Sequence, residues 1–206
     1  MIPLLSLAYL PPVAWCSVAW QADQVALEAC DHYQKGSLRN RCYIAGPNGI
    51  QRLSIPLVKG KNQQTPIRDV RISYDEDWQR LHWRSIRTAY GNAPFFEHYA
   101  DRLSRFYEKP YSFLFDYNLD FLEFILQEKL GWKGRFTLTS EYRTSGNPQE
   151  ETDFRNAFAA DGNDHPSWFE PRRYSQVFME KSGFIPNLSV LDLLFCCGKQ
   201  AVDILH

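Results

Sequence analysis

Gly46-Pro47-Asn48-Gly49 separates the runs RNRCYIA (39–45) and IQRLSIPLV (50–58). Proline presets one φ, and glycine admits the positive φ that a tight reversal needs. The four residues therefore predict a turn, and the runs beside them an antiparallel hairpin over 39–58. The chain before it reads differently. LLSLAYL (4–10) fits a buried strand stopped by Pro11-Pro12, neither of which can donate to a ladder. VAWCSVAWQAD (13–23) fits a short helix and QVALEA (24–29) a second strand. Strand, crossover and strand predict a parallel pair. A parallel pair together with a hairpin implies an α/β fold with a mixed sheet flanked by helices.

At 206 residues the chain is expected to form one domain, 1–206. IRDVRIS (67–73) alternates imperfectly and is read as a strand. SYDEDWQRLHWRSIRTAYGNAP (73–94) carries the ends of a helix, with Ser73 and Glu76 spaced as a capping box and Gly91 and Pro94 as the stop. FFEHYADRLSRFYE (95–108) predicts a second amphipathic helix, about 119–130 a third, and RFTLTSEY (135–142) a strand. NLSVLDLLFCCG (187–198) reads as a buried helix capped by Asn187 or Ser189. Residues 143–173 are polar and rich in turn residues yet hold Phe154, Phe158, Trp168 and Phe169. They are expected to form a mobile loop or a lid.

Basic and acidic residues nearly cancel, 23 against 24, so there is no general field for nucleic acid and any anion site must be local. An odd cysteine count with no CxxC pair favours a reducing, cytoplasmic setting. Prolines break the apolar N-terminal run, and no membrane span is expected.

The local cationic site is sought in HYQKGSLRNR (32–41). If a strand starts at 39, Arg39 and Arg41 share a face and Asn40 points away. Two guanidiniums could then take a carboxylate or phosphate, with Lys35 returning to it through Gly36. The opposing reading pairs the arginines with Asp31 or Glu28 and makes them structural. His82 lies on an apolar helical stripe with Trp78, Ile86 and Tyr90. It reads as a core histidine or as a general base. His32, beside the cations, is an equal base candidate. The histidines show no metal-binding spacing, and no nucleotide or serine-hydrolase motif occurs. No metal is expected, and the sequence indicates no cofactor.

YLPPVAW (9–15), HYQKGSLRNRCYIAGPNGIQRLSIPL (32–57), IRDVRI (67–72), HWRSIRTAYGNAPFFEHY (82–99) and YSQVFMEKSGFIPNLSVLDLLFCCG (174–198) together resemble the WbqC-like proteins of bacteria. The resemblance spans nearly the whole chain in order. One departure is Cys196-Cys197, where the family usually has a small polar or apolar pair after DLLF. The resemblance implies a role in surface-polysaccharide or O-antigen synthesis, with glycine transfer onto a sugar suggested for some members. The family motif maps onto Gln34, Lys35, Arg39, Asn40 and Arg41, and onto His82. The implied partner is an anionic small molecule: a sugar nucleotide, a uronic acid or an amino-acid donor. A transferase would need a base and oxyanion donors; a non-catalytic binding or assembly protein would need only the anion cluster.

Overall fold

The computed structural model describes residues 1–58, 64–144, 150–158 and 165–206. Its strands are β1 (Ile2–Ser6), β2 (Gln24–Glu28), β3 (Arg41–Gly46), β4 (Gly49–Ser54), β5 (Arg135–Leu138) and β6 (Glu151–Asp153). Strands β5-β2-β1-β6 form one sheet in that order, and each of its ladders is parallel. Strands β3 and β4 form a separate antiparallel pair in which Gly46 faces Gly49. Gly49 supplies the positive φ of the reversal, +105°.

The α/β class, the parallel pair and the hairpin agree with the sequence reading. The two kinds of ladder, however, occupy two sheets. Strand β3 also begins at Arg41, two residues later than expected. Ile55 N–H still donates to the Asn40 carbonyl (2.8 Å). The Ile55 carbonyl, however, accepts from the Asn40 side-chain amide (2.9 Å) instead of from a backbone N–H. A side chain that takes a ladder partner ends the strand. Arg39 and Arg41 therefore do not share a strand face.

The helices are α1 (Val13–Trp20), α2 (Trp78–Tyr90), α3 (Phe96–Ser104), α4 (Leu114–Glu123), α5 (Met179–Ser182), α6 (Val190–Cys197) and α7 (Ala201–Leu205). Asp77 caps α2 by accepting from Arg80 N–H (3.4 Å); Ser73 is spent on Asp75 (2.9 Å), so the expected capping box does not form. Helix α4 starts five residues earlier than read and runs into a π-helical turn, Phe124–Lys129, before Gly131 at φ +82°. IRDVRIS is a 3-10 turn, Ile67–Asp69, followed by single bridges of Arg71 to Phe113 and Ile72 to Leu57. Pro66 starts the turn, and the Asp69 N–H returns to its carbonyl (2.9 Å), so an extended strand cannot begin there.

Of the two residues read as caps of the 187–198 helix, only Ser189 caps it. Ser189 Oγ accepts from Leu191 N–H (3.3 Å) and caps α6. Asn187 Oδ1 instead accepts from Ala14 N–H (2.8 Å) in the first turn of α1, 173 positions away in sequence. Pro12, the residue before α1, offers no side-chain cap of its own, so the cap comes from the far end of the chain. Within 143–173, residues 145–149 and 159–164 lie outside the described residues. The described part includes β6, which lies alongside β1, and a buried Phe169.

One core runs through the molecule, with Tyr9, Trp15, Leu27, Ile44, Ile86, Phe121 and Phe195 fully enclosed. Gly198 closes α6 at φ +58°. A Cβ there would come within 2.7 Å of the Phe95 ring. Gly198→Ala should therefore cost about 1–3 kcal/mol from backbone strain alone. Adding Phe95→Ala should relieve the collision but not the strain. Chemical denaturation of the single and double variants measures both contributions; equal stability of Gly198→Ala and the parent contradicts this account.

Candidate functional site

Four parallel strands end on the same side of their sheet, and ligands of open α/β sheets gather beyond those carboxyl ends. Charged groups converge there. Ser6 ends β1, Glu28 ends β2, Thr139 follows β5 and Asp153 ends β6. The segment after β2 carries Asp31, His32, Gln34, Lys35 and Arg39 past the same end.

Arg39 is 4% exposed. Its guanidinium donates to Asp31 Oδ2, to Ser6 Oγ (3.0 Å) and to Gln34 Oε1 (3.5 Å). A second buried guanidinium, Arg155, donates to Glu28 Oε2 (2.7 Å) and Asp153 Oδ2 (2.6 Å), and lies over the Tyr142 ring at 5.2 Å. Glu28 Oε1 also accepts from Thr139 Oγ1 (2.7 Å) and from Cys30 N–H (2.9 Å). Hydrogen bonds to Asp153, then to Glu28, hold the Arg155 charge firmly in place. Burial outweighs the attraction of Arg39 and raises the Asp31 carboxyl above its usual range, with Glu28 adding to the rise. Asp31 Oδ1 is buried and has no hydrogen-bond partner among the described residues. Three carboxylates thus face two guanidiniums, and Asp31 Oδ1 is enclosed without a hydrogen bond from any described residue.

A groove of about 190 Å³ adjoins this cluster, lined in part by Leu4, Ala26, Glu28, Thr139, Glu141 and Arg143. Among the described residues no group of three or more His, Cys, Asp or Glu side chains could hold a metal ion.

The residues expected from the sequence divide into two groups. Arg39 and Gln34 meet directly, while His32 and Lys35 stand exposed on the same segment. Asn40 is buried and bonded into the hairpin. Arg41 is half-buried near Tyr33, whose hydroxyl titrates high through burial against the opposing pull of Arg41 and Arg39. His82 lies elsewhere, 5% exposed within the aromatic core. Its Nδ1 is bonded to the Tyr9 hydroxyl (3.0 Å), which in turn meets the Tyr107 hydroxyl (3.0 Å). Burial pushes its pKa down to about 4, against a hydrogen bond to the Ser54 backbone that works the other way. It is a neutral core histidine, well below the near-neutral pKa expected of a working base. Glu28 and Asp31, read only as structural partners, are central to the cluster, and Arg155 went unread. Two acids at the end of a buried strand, LEACD, were the available signal; Arg155 gave none, because Glu28, the partner that joins it to the cluster, is 127 positions away.

A four-stranded parallel sheet with charges buried at its carboxyl ends, beside a separate antiparallel hairpin, makes this an α/β protein. The chain belongs to the WbqC-like protein family, whose model matches residues 8–161 and 154–204. It is also similar to "Uncharacterized protein Rv1507c" of Mycobacterium tuberculosis (strain ATCC 25618 / H37Rv), 28% identical over 220 residues, which span 96% of this chain and 94% of the relative. No solved structure gives a significant match.

The His82 shift has a thermodynamic consequence. With a folded pKa near 4 against about 6.5 when unfolded, the unfolded chain binds the extra proton first. Stability is complete above about pH 6.5 and falls as pH drops towards 4, by about 3 kcal/mol from this group. Denaturation midpoints between pH 7 and 4 should show this slope, and His82→Gln should remove it. A slope unchanged in the variant contradicts the assignment.

Proposed function

We propose that the chain is a transferase of bacterial surface-polysaccharide synthesis that passes an aminoacyl group, such as glycyl, onto an anionic sugar or sugar nucleotide. The family supports the setting, and one observation supports the chemistry: the buried, unpartnered Oδ1 of Asp31 on a carboxyl whose proton affinity is raised. A carboxylate in that state suits the removal of a proton from an attacking amine. The amine nitrogen of an amino sugar then adds to the acyl carbon of an activated aminoacyl ester or thioester, the carbonyl becomes an oxyanion, and its collapse breaks the C–O or C–S bond, so that the alcohol or thiol departs with the bonding electrons. Arg39 stands against Asp31 and stabilises the negative charge that develops. Gln34, Lys35 and half-buried Arg41 draw the anionic substrate to this end of the sheet, and His32 on the same segment takes over the proton at the rim. Asn40 and His82 hold the scaffold. The five unpaired cysteines fit a cytoplasmic setting. Among the described residues no helix is long and apolar enough to cross a membrane.

A second reading, a non-catalytic binding or assembly protein, draws on the fact that both buried guanidiniums already meet internal acids. The two readings diverge in one experiment. The protein is first screened by thermal shift against nucleotide sugars, uronic acids and amino-acid donors; a ligand at 100 times its Kd adds about 2.7 kcal/mol. Product formation is then followed by mass spectrometry. Lys35→Ala, at an exposed position, should leave stability within about 0.5 kcal/mol while weakening ligand binding at least tenfold. Asp31→Asn leaves Arg39 without its buried counter-charge and should cost about 3–5 kcal/mol, so it is assayed below its own melting temperature. There it should still bind ligand and lose turnover. Ligand binding by the parent with no product from any donor favours the binding protein. Ligand affinity unchanged in Lys35→Ala removes the site.

A further inference from the structure

On the outer face of the helical layer, α2 and the start of α3 enclose a groove of about 620 Å³. It shares no lining residue with the groove beside the carboxyl-end cluster. Trp78, His82, Ile86, Ala89 and Tyr90 turn the other side of α2 into the core. That leaves Arg80, Arg84 and Arg87 in an exposed column along the groove. Side chains three and four positions apart on a helix are neighbours, about 5–6 Å apart at Cβ. Arg80 is tied to Asp77 at 2.9 Å, with both side chains largely exposed. Arg84 and Arg87 have no ion pair among the described residues. Glu97 is the one acid in the lining. The groove thus carries a local positive excess on a chain whose net charge is −1.

Two further features make this more than a solvated helix face. The floor is aromatic: Trp83 stacks on Phe96 (6.1 Å) and on Tyr107 (5.7 Å), which lowers the local dielectric beneath the guanidiniums. Helix α3 also begins in the groove wall at Phe96, and no side chain caps its first turn. Phe96 N–H donates to the Ala93 carbonyl (3.1 Å) and Glu97 sits in the first turn, so what the helix start adds is the N–H groups after Phe96 and the positive end of the dipole.

We propose that this groove binds a soluble ligand bearing two adjacent phosphoryl groups, such as free diphosphate or a nucleoside diphosphate. Arg84 and Arg87 each take one phosphoryl group in forked hydrogen bonds, and the open turn of α3 receives the remaining oxygens. The Trp83 ring is committed to its aromatic neighbours, so recognition rests on the phosphates, and any attached nucleoside projects outward.

Calorimetric titration at physiological salt tests the assignment. Inorganic pyrophosphate should bind saturably at one site per chain, and orthophosphate at least tenfold more weakly. A nucleoside diphosphate should bind within a few-fold of pyrophosphate. The double variant Arg84→Gln/Arg87→Gln should lose at least tenfold in pyrophosphate affinity with an unchanged melting curve, since both side chains are exposed. Lys35→Ala should leave intact the pyrophosphate binding that Arg84→Gln/Arg87→Gln removes, whatever it does at the carboxyl-end site, which separates the two. Equal affinity for the two inorganic ions, an unaffected double variant, or adsorption to anionic vesicles without saturable pyrophosphate binding would each overturn the proposal.

Discussion

The buried Arg39 guanidinium organises much of this molecule. An arginine cannot be deprotonated in compensation, so enclosing it obliges the chain to bring counter-charge and hydrogen-bond acceptors to it. Asp31 arrives from the segment after β2, Ser6 from the end of β1 and Gln34 from the intervening turn. Its own carbonyl accepts from Asn118 Nδ2 of α4 (2.7 Å). One residue thereby joins the parallel sheet and the helical layer, and the hairpin starts two residues further on. The same demand fixes an acid with an enclosed, unpartnered oxygen at the sheet's carboxyl end.

The second buried guanidinium repeats this logic at the sheet edge. Arg155 links β6 to β2 across β1, through Glu28. Edge strand β6 is short, and this ion pair together with the Asp153 contact gives it an anchor that its few ladder bonds alone would not. Charge burial and sheet construction are therefore one problem here, solved at the carboxyl end of the sheet.

What the sequence disclosed follows the range of the interactions involved. The Gly46–Gly49 reversal, the stop of α6 at Gly198 and the parallel β1–β2 pair depend on neighbours in sequence and could be read directly. The end of β3 at Asn40 could not, because the side-chain amide of Asn40 competes for a carbonyl fifteen positions away. Nor could β6, a three-residue strand whose partner is the first strand of the chain. In the candidate site, Arg39 and Gln34 stood out as part of a dense polar cluster. Asp31 and Glu28 looked like mere counter-ions, since a carboxyl's burial and its missing partner exist only in three dimensions. His82 shared its pattern with a catalytic base, and only its enclosure by Tyr9 and Tyr107 distinguishes the two.

The cap that Asn187 places on α1 bears on how the chain reaches this state. Strand β1 is flanked by β2 and by residues 151–153, while the first turn of α1 waits for a side chain near position 190. Strand β1 and helix α1 are thus completed by residues far along the sequence, and the loop closed by the Asn187 cap spans 173 positions. Such non-local closure sets a high contact order and slows folding relative to a chain of local contacts. During synthesis β1 and α1 precede Asn187 and residues 151–153 by well over a hundred positions, and for that interval their apolar surface lacks part of its cover.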